Sequence, residues 1–342
     1  MTLAQFWFIL IAVLWTGFFV LEGFDLGVGM LHGIVGRDEA GRRTVINTIG
    51  PLWDGNEVWL IVAGAATFAA FPGWYATWFS GLYLALVLLL AALIARGTSF
   101  EFRGKRDSVA WRRAWSGLLT GGSLLVPLLI GIALGDLLSG LPIDKSQNYT
   151  GSFWDLLQPY GIYTGITLVA ICVLHGATFI TLKTTGDVAD RASGVAARSG
   201  LTVALIVIGW AVWTHVVAGK GFWPNPVEIG IVLVVIAAAW LAAERHEGWA
   251  FTCSTITIAL AMLTLFTDLY PNVMISSTNS AYNLTIANTA SPSYTLKLMS
   301  IVAIVFLPVV LAYTAWNYYV FRKRISSSDF APAQPPGVRE KT

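Results

Sequence analysis

The sequence predicts an all-α, polytopic membrane protein of about nine transmembrane helices, arranged as two four-helix bundles plus one peripheral helix. Composition, the spacing of apolar runs and a one-sided distribution of basic residues point to it. Of 342 residues, 56% are hydrophobic and 12% charged, and mean hydropathy is +0.68. A soluble domain carries about 25% charged residues. The net charge of +2 comes from basic residues parcelled into short loops, which offer no surface for nucleic acid. Cys172 and Cys253 both fall in apolar runs, so the expectation is buried thiols and no disulfide.

A spanning helix needs about 20 mostly apolar residues, and that length divides the chain. The first span runs from about Leu3 to Val35, with Glu22 and Asp25 in its inner half. It lacks a basic leader and a small-residue cleavage site, so it reads as a retained helix. After Arg37, Arg42 and Arg43, the second span covers about Val45 to Phe71. Gly50 and Pro51 should kink it, because proline removes a backbone donor and clashes one turn back. The third, about Tyr75 to Ala95, ends in a charge-dense loop from Arg96 to Arg113. The fourth is about Trp115 to Leu134, the fifth Pro159 to Leu182 and the sixth Ala196 to Val217. The seventh is about Val227 to Ala243, the eighth Trp249 to Leu269 and the ninth Tyr294 to Phe321. Residues 1–321 thus form the membrane domain and 322–342 a polar, Pro-rich tail, expected to be disordered. Fifteen tryptophans suit interfacial belts near span ends.

Alternating spans place all but Lys145, Lys220 and Lys297 of the 21 Lys and Arg residues on one side. The asymmetry predicts an outside N-terminus and a cytoplasmic C-terminus. Asp25 then lies roughly 15 Å above the cytoplasmic end of its helix, at about 1.5 Å per residue. Asp54 and Glu57 enter the second span from the same side.

A carboxylate at the centre of a lipid-facing helix costs about 2.5–3.5 kcal/mol on insertion scales. Glu22 and Asp25 are spaced i, i+3, as are Asp54 and Glu57, so each pair shares a helical face. The expected role for these four is a proton path open to the cytoplasm. Their plain alternative is capping or interhelical hydrogen bonding, with Asp54 placed to cap a helix restarted after Pro51. Of four histidines, His175 is mid-span and is the best haem-ligand candidate. No pair has i, i+3 or i, i+4 spacing, so a histidine hydrogen-bonded between helices is the favoured reading. No metal-ligand spacing, Walker motif or dinucleotide fingerprint is present. Gly23, Gly27 and Gly29 suit close helix packing.

The stretches GFDLGVGML (Gly23 to Leu31) and PLWDGNEVWL (Pro51 to Leu60) resemble subunit II of the cytochrome bd-type quinol oxidases. The resemblance continues through RRTVINTIGP, FEFRGK and SSTNSAYNLTIANTASPSYTLKLM to LPVVLAYTAWNYYVFRKRI. It implies a heterodimer in a bacterial-type plasma membrane, in which subunit I carries two haems of b type and one of d type. It implies no haem and no catalytic residue in this chain. It implies support of subunit I, and proton delivery from the cytoplasm by Asp25 and Asp54, with Glu57 and Glu22 beside them. It also allows a quinone held as a structural lipid, and small accessory helices as further partners. The complex would oxidise quinol and reduce dioxygen to water. Two alternatives use the same carboxylates: a proton-coupled secondary transporter, and a scaffold subunit whose carboxylates are structural.

Overall fold

The computed structural model describes residues 1–219 and 221–330. Lys220, Arg339 and Lys341 of the charge count, and tail residues 331–342, lie outside the described residues. Helix α1 is Leu3–Val35, α2 Glu39–Asn47, α3 Trp53–Ala70, α4 Pro72–Gly81, α5 Tyr83–Phe102 and α6 Val109–Ser139. Helix α7 is Pro159–Lys183, α8 Asp187–Ala218, α9 Pro226–Ala243 and α10 Glu247–Leu269. A two-stranded ribbon, β1 Asn272–Met274 and β2 Leu284–Thr285, precedes α11 Ile286–Thr289 and α12 Ser293–Val320. Among the described residues eight helices are long and apolar enough to cross a membrane. They are α1, α5 to α10 and α12. Helix α3, the second expected span, is left out of that set by the polar residues of its first turns.

Local chemistry sets the helix ends. Thr2 and Gln5 form a reciprocal cap on α1: Gln5 N–H donates to Thr2 Oγ1 at 3.2 Å and Thr2 N–H to Gln5 Oε1 at 2.8 Å. Asp38 caps α2 by accepting from Gly41 N–H at 2.7 Å. Asn225 and Glu228 form a second such box at α9.

The expected second span does not run unbroken from Val45. Helix α2 stops at Asn47 and α3 restarts at Trp53. Pro51 has no N–H for the carbonyl of Asn47, so the ladder cannot continue. The polar segment before it stays out as a separate short helix. The third span also differs. Backbone bonds from Leu82 to Trp78 (2.9 Å) and Leu86 to Leu82 (2.8 Å) carry the helix from α4 into α5. Helix α5 then runs seven residues past Ala95 to Phe102, so Arg96 is helical and not in a loop.

Helix α1 is the central element. It packs on α3, α6, α7 and α10. Helices α5 and α6 are neighbours on one side, while α7, α8, α9 and α10 pack in chain order on the other. Glycines let the two groups meet: a Cβ on Gly27 would lie 2.8 Å from Gly176 Cα, and one on Gly131 2.6 Å from Gly165 Cα. Any side chain there would force α1 from α7, or α6 from α7. Helix α12 touches α1 and α3 and is otherwise largely exposed.

At the end holding the α1 N-terminus, the ribbon pairs with the chain after α6. Leu141 N–H donates to Ile275 O at 2.9 Å and Ser277 N–H to Leu141 O at 2.9 Å. At the opposite, basic end, the first part of the tail is ordered. Ile325 N–H donates to Lys183 O at 2.9 Å and Thr185 N–H to Ile325 O at 3.1 Å. Residues 327–330 pack on α2. Polar composition gives no sign of these long-range backbone bonds, which hold the residues just after α12.

Candidate functional site

The four carboxylates singled out from sequence do not share one crevice. Glu22 and Asp25, one turn apart on α1, are both 0% exposed. Asp54 is exposed on the first turn of α3, while Glu57, three residues on, is half-buried. On α3, Asn56 faces α1 and Trp59 packs below it. Glu57 lies on the flank of that face and Asp54 falls outside it.

The residue that joins the others is Arg96 of α5, also 0% exposed. Its Nη2 lies 2.6 Å from Glu22 Oε1, and its Nη1 donates to Glu57 Oε2 at 2.9 Å. The guanidinium lies beside two rings, 5.9 Å from the Trp53 centroid and 5.4 Å from that of Phe100. Those rings stack on each other at 4.8 Å and shield the cation. Asp25 takes a separate bond: Asn56 Nδ2 donates to Asp25 Oδ2 at 2.7 Å and to Leu21 O at 3.2 Å. Tyr318 of α12 donates through its hydroxyl to Asn56 Oδ1 at 2.9 Å. Thus α1, α3, α5 and α12 meet at three carboxyl groups, of which Glu22 and Glu57 share the Arg96 guanidinium and Asp25 is held by Asn56.

Sequence reading missed Arg96, Asn56 and Tyr318 as members. Arg96 closes a long apolar run and was counted among the loop bases. The signal available was the continuation GTSFEF, whose Ser99 and Phe100 keep helical spacing behind it.

His175 does not fit a haem ligand. Its Nε2–H donates to Val20 O at 3.2 Å, its Nδ1 lies 2.7 Å from Ser254 Oγ, and its ring stacks on Phe251 at 4.4 Å. Both nitrogens are used in tying α7 to α1 and α10, which is the interhelical alternative. His215 bonds Glu228 (Nδ1–Oε2 3.0 Å) and Gly221 O (2.9 Å). Among the described residues no group of three or more His, Cys, Asp or Glu side chains could hold a metal ion.

Outside the membrane segments, the basic end carries one further cluster. Glu39 of α2 accepts from Arg103 Nη1 and Nη2 at 2.9 and 2.8 Å and from Arg43 Nε at 3.3 Å. Partial burial pushes its carboxyl up. The Arg103 hydrogen bonds and the charges of Arg103, Arg112 and Arg43 outweigh that and hold it below the usual carboxylate range. The cluster fastens α2 to α5 and α6.

Comparison with known proteins places this architecture. The chain is 43% identical over 332 residues to cytochrome bd ubiquinol oxidase subunit 2 of Bacillus subtilis, covering 96% of this chain and 98% of that protein. It is 36% identical over 361 residues to cytochrome bd-I ubiquinol oxidase subunit 2 of Escherichia coli, covering 94% and 95%. A chain of the bd oxidase structure from Geobacillus thermodenitrificans superposes with a TM-score of 0.70 at 17% identity, over 94% of this chain and all of that one. At that identity it supports the fold alone. The profile of the cytochrome bd terminal oxidase subunit II family matches residues 3–321. A match over almost the whole membrane domain, with relatives aligned end to end, means that the chain belongs to the cytochrome bd terminal oxidase subunit II family.

Proposed function

We propose that this chain is the non-haem subunit of a bd-type quinol oxidase. It braces a haem-bearing subunit I and brings cytoplasmic protons toward the partner's dioxygen site. The observation that carries this reading is the buried set of Glu22, Asp25 and Glu57 around Arg96. One guanidinium compensates one carboxylate, so a set of three in a low-dielectric interior favours holding and passing protons over full ionisation. Asp54, exposed one turn from Glu57, is the surface group from which a docked partner would take the proton. The basic end of the bundle faces the cytoplasm in this reading. An apolar groove of about 650 Å³ between α1, α3 and α12 runs up to Asn56 and Tyr318. It suits the tail of a quinone held as a structural lipid.

A carrier would need a second broken helix matching the α2–α3 interruption, and α7 to α10 run without one. The scaffold alternative has a specific observation behind it, since Arg96 ties three helices together. Quinol-driven oxygen uptake by the assembled oxidase, normalised to haem, separates the two. Asp25→Asn keeps size and hydrogen bonding but cannot release a proton, so turnover should fall at normal haem content. Asp25→Asn with Asp54→Asn should be no slower than the slower single variant, as expected for steps of one path. Full turnover in Asp25→Asn would refute the path. Loss of haem in proportion to activity would favour the scaffold.

A further inference from the structure

We propose that the seam between α1 and α6 holds a file of internal water that carries protons from the basic end to Asp25, with Ser123 and His32 as its anchoring side chains. The proposal rests on the proton-path reading above and names its uptake branch.

Glu22, Asp25, Gly29 and His32 follow one another on α1 at spacings of three, four and three residues, so they form one stripe along the helix. Helix α6 covers that stripe. A Cβ on Gly29 would collide with Ser123 Oγ, and one on the adjacent Gly122 would lie 2.9 Å from Arg96 Cβ. Ser123 therefore stands between His32 at one end and the Arg96 cluster at the other.

The stripe is buried yet unsatisfied. Ser123 and His32 are 0% and 1% exposed. Ser123 Oγ, His32 Nε2 and Arg96 Nε have no hydrogen-bond partner among the described residues. Buried polar atoms are nearly always paired with protein or ordered water. A buried water makes about three such bonds, and this run of donors and acceptors can supply them.

The ring of His32 is held in a defined state. His32 Nδ1 lies 2.8 Å from Gly29 O. A carbonyl only accepts, so Nδ1 carries the hydrogen and Nε2 presents a lone pair to the seam. Thr120 Oγ1 donates to the same carbonyl at 3.4 Å. Beside His32 the surface opens: Gly33 is exposed, and a Cβ there would meet nothing within 4 Å. The charged groups facing His32 are Arg103, at the C-terminal cap of α5, with Arg42 and Glu39 of α2. Arg191 of α8 bonds Val35 O at 2.7 Å, one turn below. A proton enters the file at the His32 end; at each hop one O–H bond forms as another breaks, and the last hop forms an O–H bond on an Asp25 oxygen, so one proton enters for each one delivered.

The test is oxygen uptake by the assembled oxidase at saturating quinol across a pH range, with haem content measured in the same membranes. Ser123→Ala and His32→Phe remove the anchors. Each should lower turnover about fivefold, the rate equivalent of one lost hydrogen bond. The loss should deepen as pH rises and protons become scarce, with KM for quinol unchanged. His32→Gln restores an acceptor and should recover most of the rate. If His32→Phe does not assemble, Ser123→Ala decides, since it deletes one atom and crowds nothing. Parental turnover and pH profile in Ser123→Ala, with Asp25→Asn slow in the same assay, would overturn the file and leave the path standing. A loss equal at every pH would make Ser123 a packing residue and also overturn it. Parental turnover in Asp25→Asn would instead remove the path itself.

Discussion

Replacing Arg96 with methionine isolates what the buried cluster contributes to stability. The side chains of Arg96 and Glu22 are both 0% exposed and 2.6 Å apart. Removing the cation strands a buried carboxylate, and breaking such a pair costs about 3–5 kcal/mol. The Glu57 side chain is 22% exposed, so water compensates much of its loss, which adds about 0–1 kcal/mol. The contacts of the guanidinium with Trp53 and Phe100, at 5.9 and 5.4 Å, add about 0.5–1 kcal/mol each. Arg96→Met should therefore destabilise the oxidase by about 4–8 kcal/mol. The assay is denaturant-induced haem loss from the detergent-solubilised complex, fitted for its midpoint. The decisive comparison is the triple variant Glu22→Gln, Glu57→Gln, Arg96→Met. A neutral set leaves no stranded charge, so it should recover most of the loss. If Arg96→Met falls within about 1 kcal/mol of the parent, or the triple variant is no more stable than the single, Arg96 is not the counter-ion described here.

Two further outcomes are expected. Ser108, exposed and capping α6, should as Ser108→Cys react with an impermeant thiol reagent only from the cytoplasmic side; labelling from outside only would invert the orientation. Glu39, whose carboxyl is held below its usual range, contributes stability that is present above the unfolded carboxylate value of about 4.3 and is lost as pH falls through its lower, folded value. Hydrogen exchange of the α2 amides should thus be faster in Glu39→Gln than in the parent at neutral pH, with the difference closing under acid; a pH-independent difference would contradict the ion-pair account.

Much of the fold is legible along the chain because the bilayer demands it. A spanning helix must satisfy its own backbone and be apolar for about 20 residues. Apolar runs therefore mark α6 to α10 and α12 to within a few residues at the ends opposite the basic loops. The same runs fail where helices continue beyond the lipid. Helix α8 begins at Asp187, nine residues before its apolar run, because solvated turns need no apolar side chains. The Pro51 signal was correct in place but understated in effect, since a proline beside a polar segment ends a helix rather than bending it.

By itself the sequence determined the membrane class, the pairing of Glu22 with Asp25 on one face, and the family through motifs spread over the chain. Helical spacing is a local property and needs no third dimension. The tertiary structure alone decided which carboxylates lie together. Asp54 and Glu57 have the same i, i+3 spacing as Glu22 and Asp25, yet one is exposed and the other reaches Arg96, because the rotation of α3 is set by Asn56 and Trp59 packing on α1. Arg96 looked like a loop base because its partners lie 39 residues away at Glu57 and farther still at Glu22. A buried charge is tolerable only when a counter-charge arrives from another helix, and no pattern within one helix records that arrival.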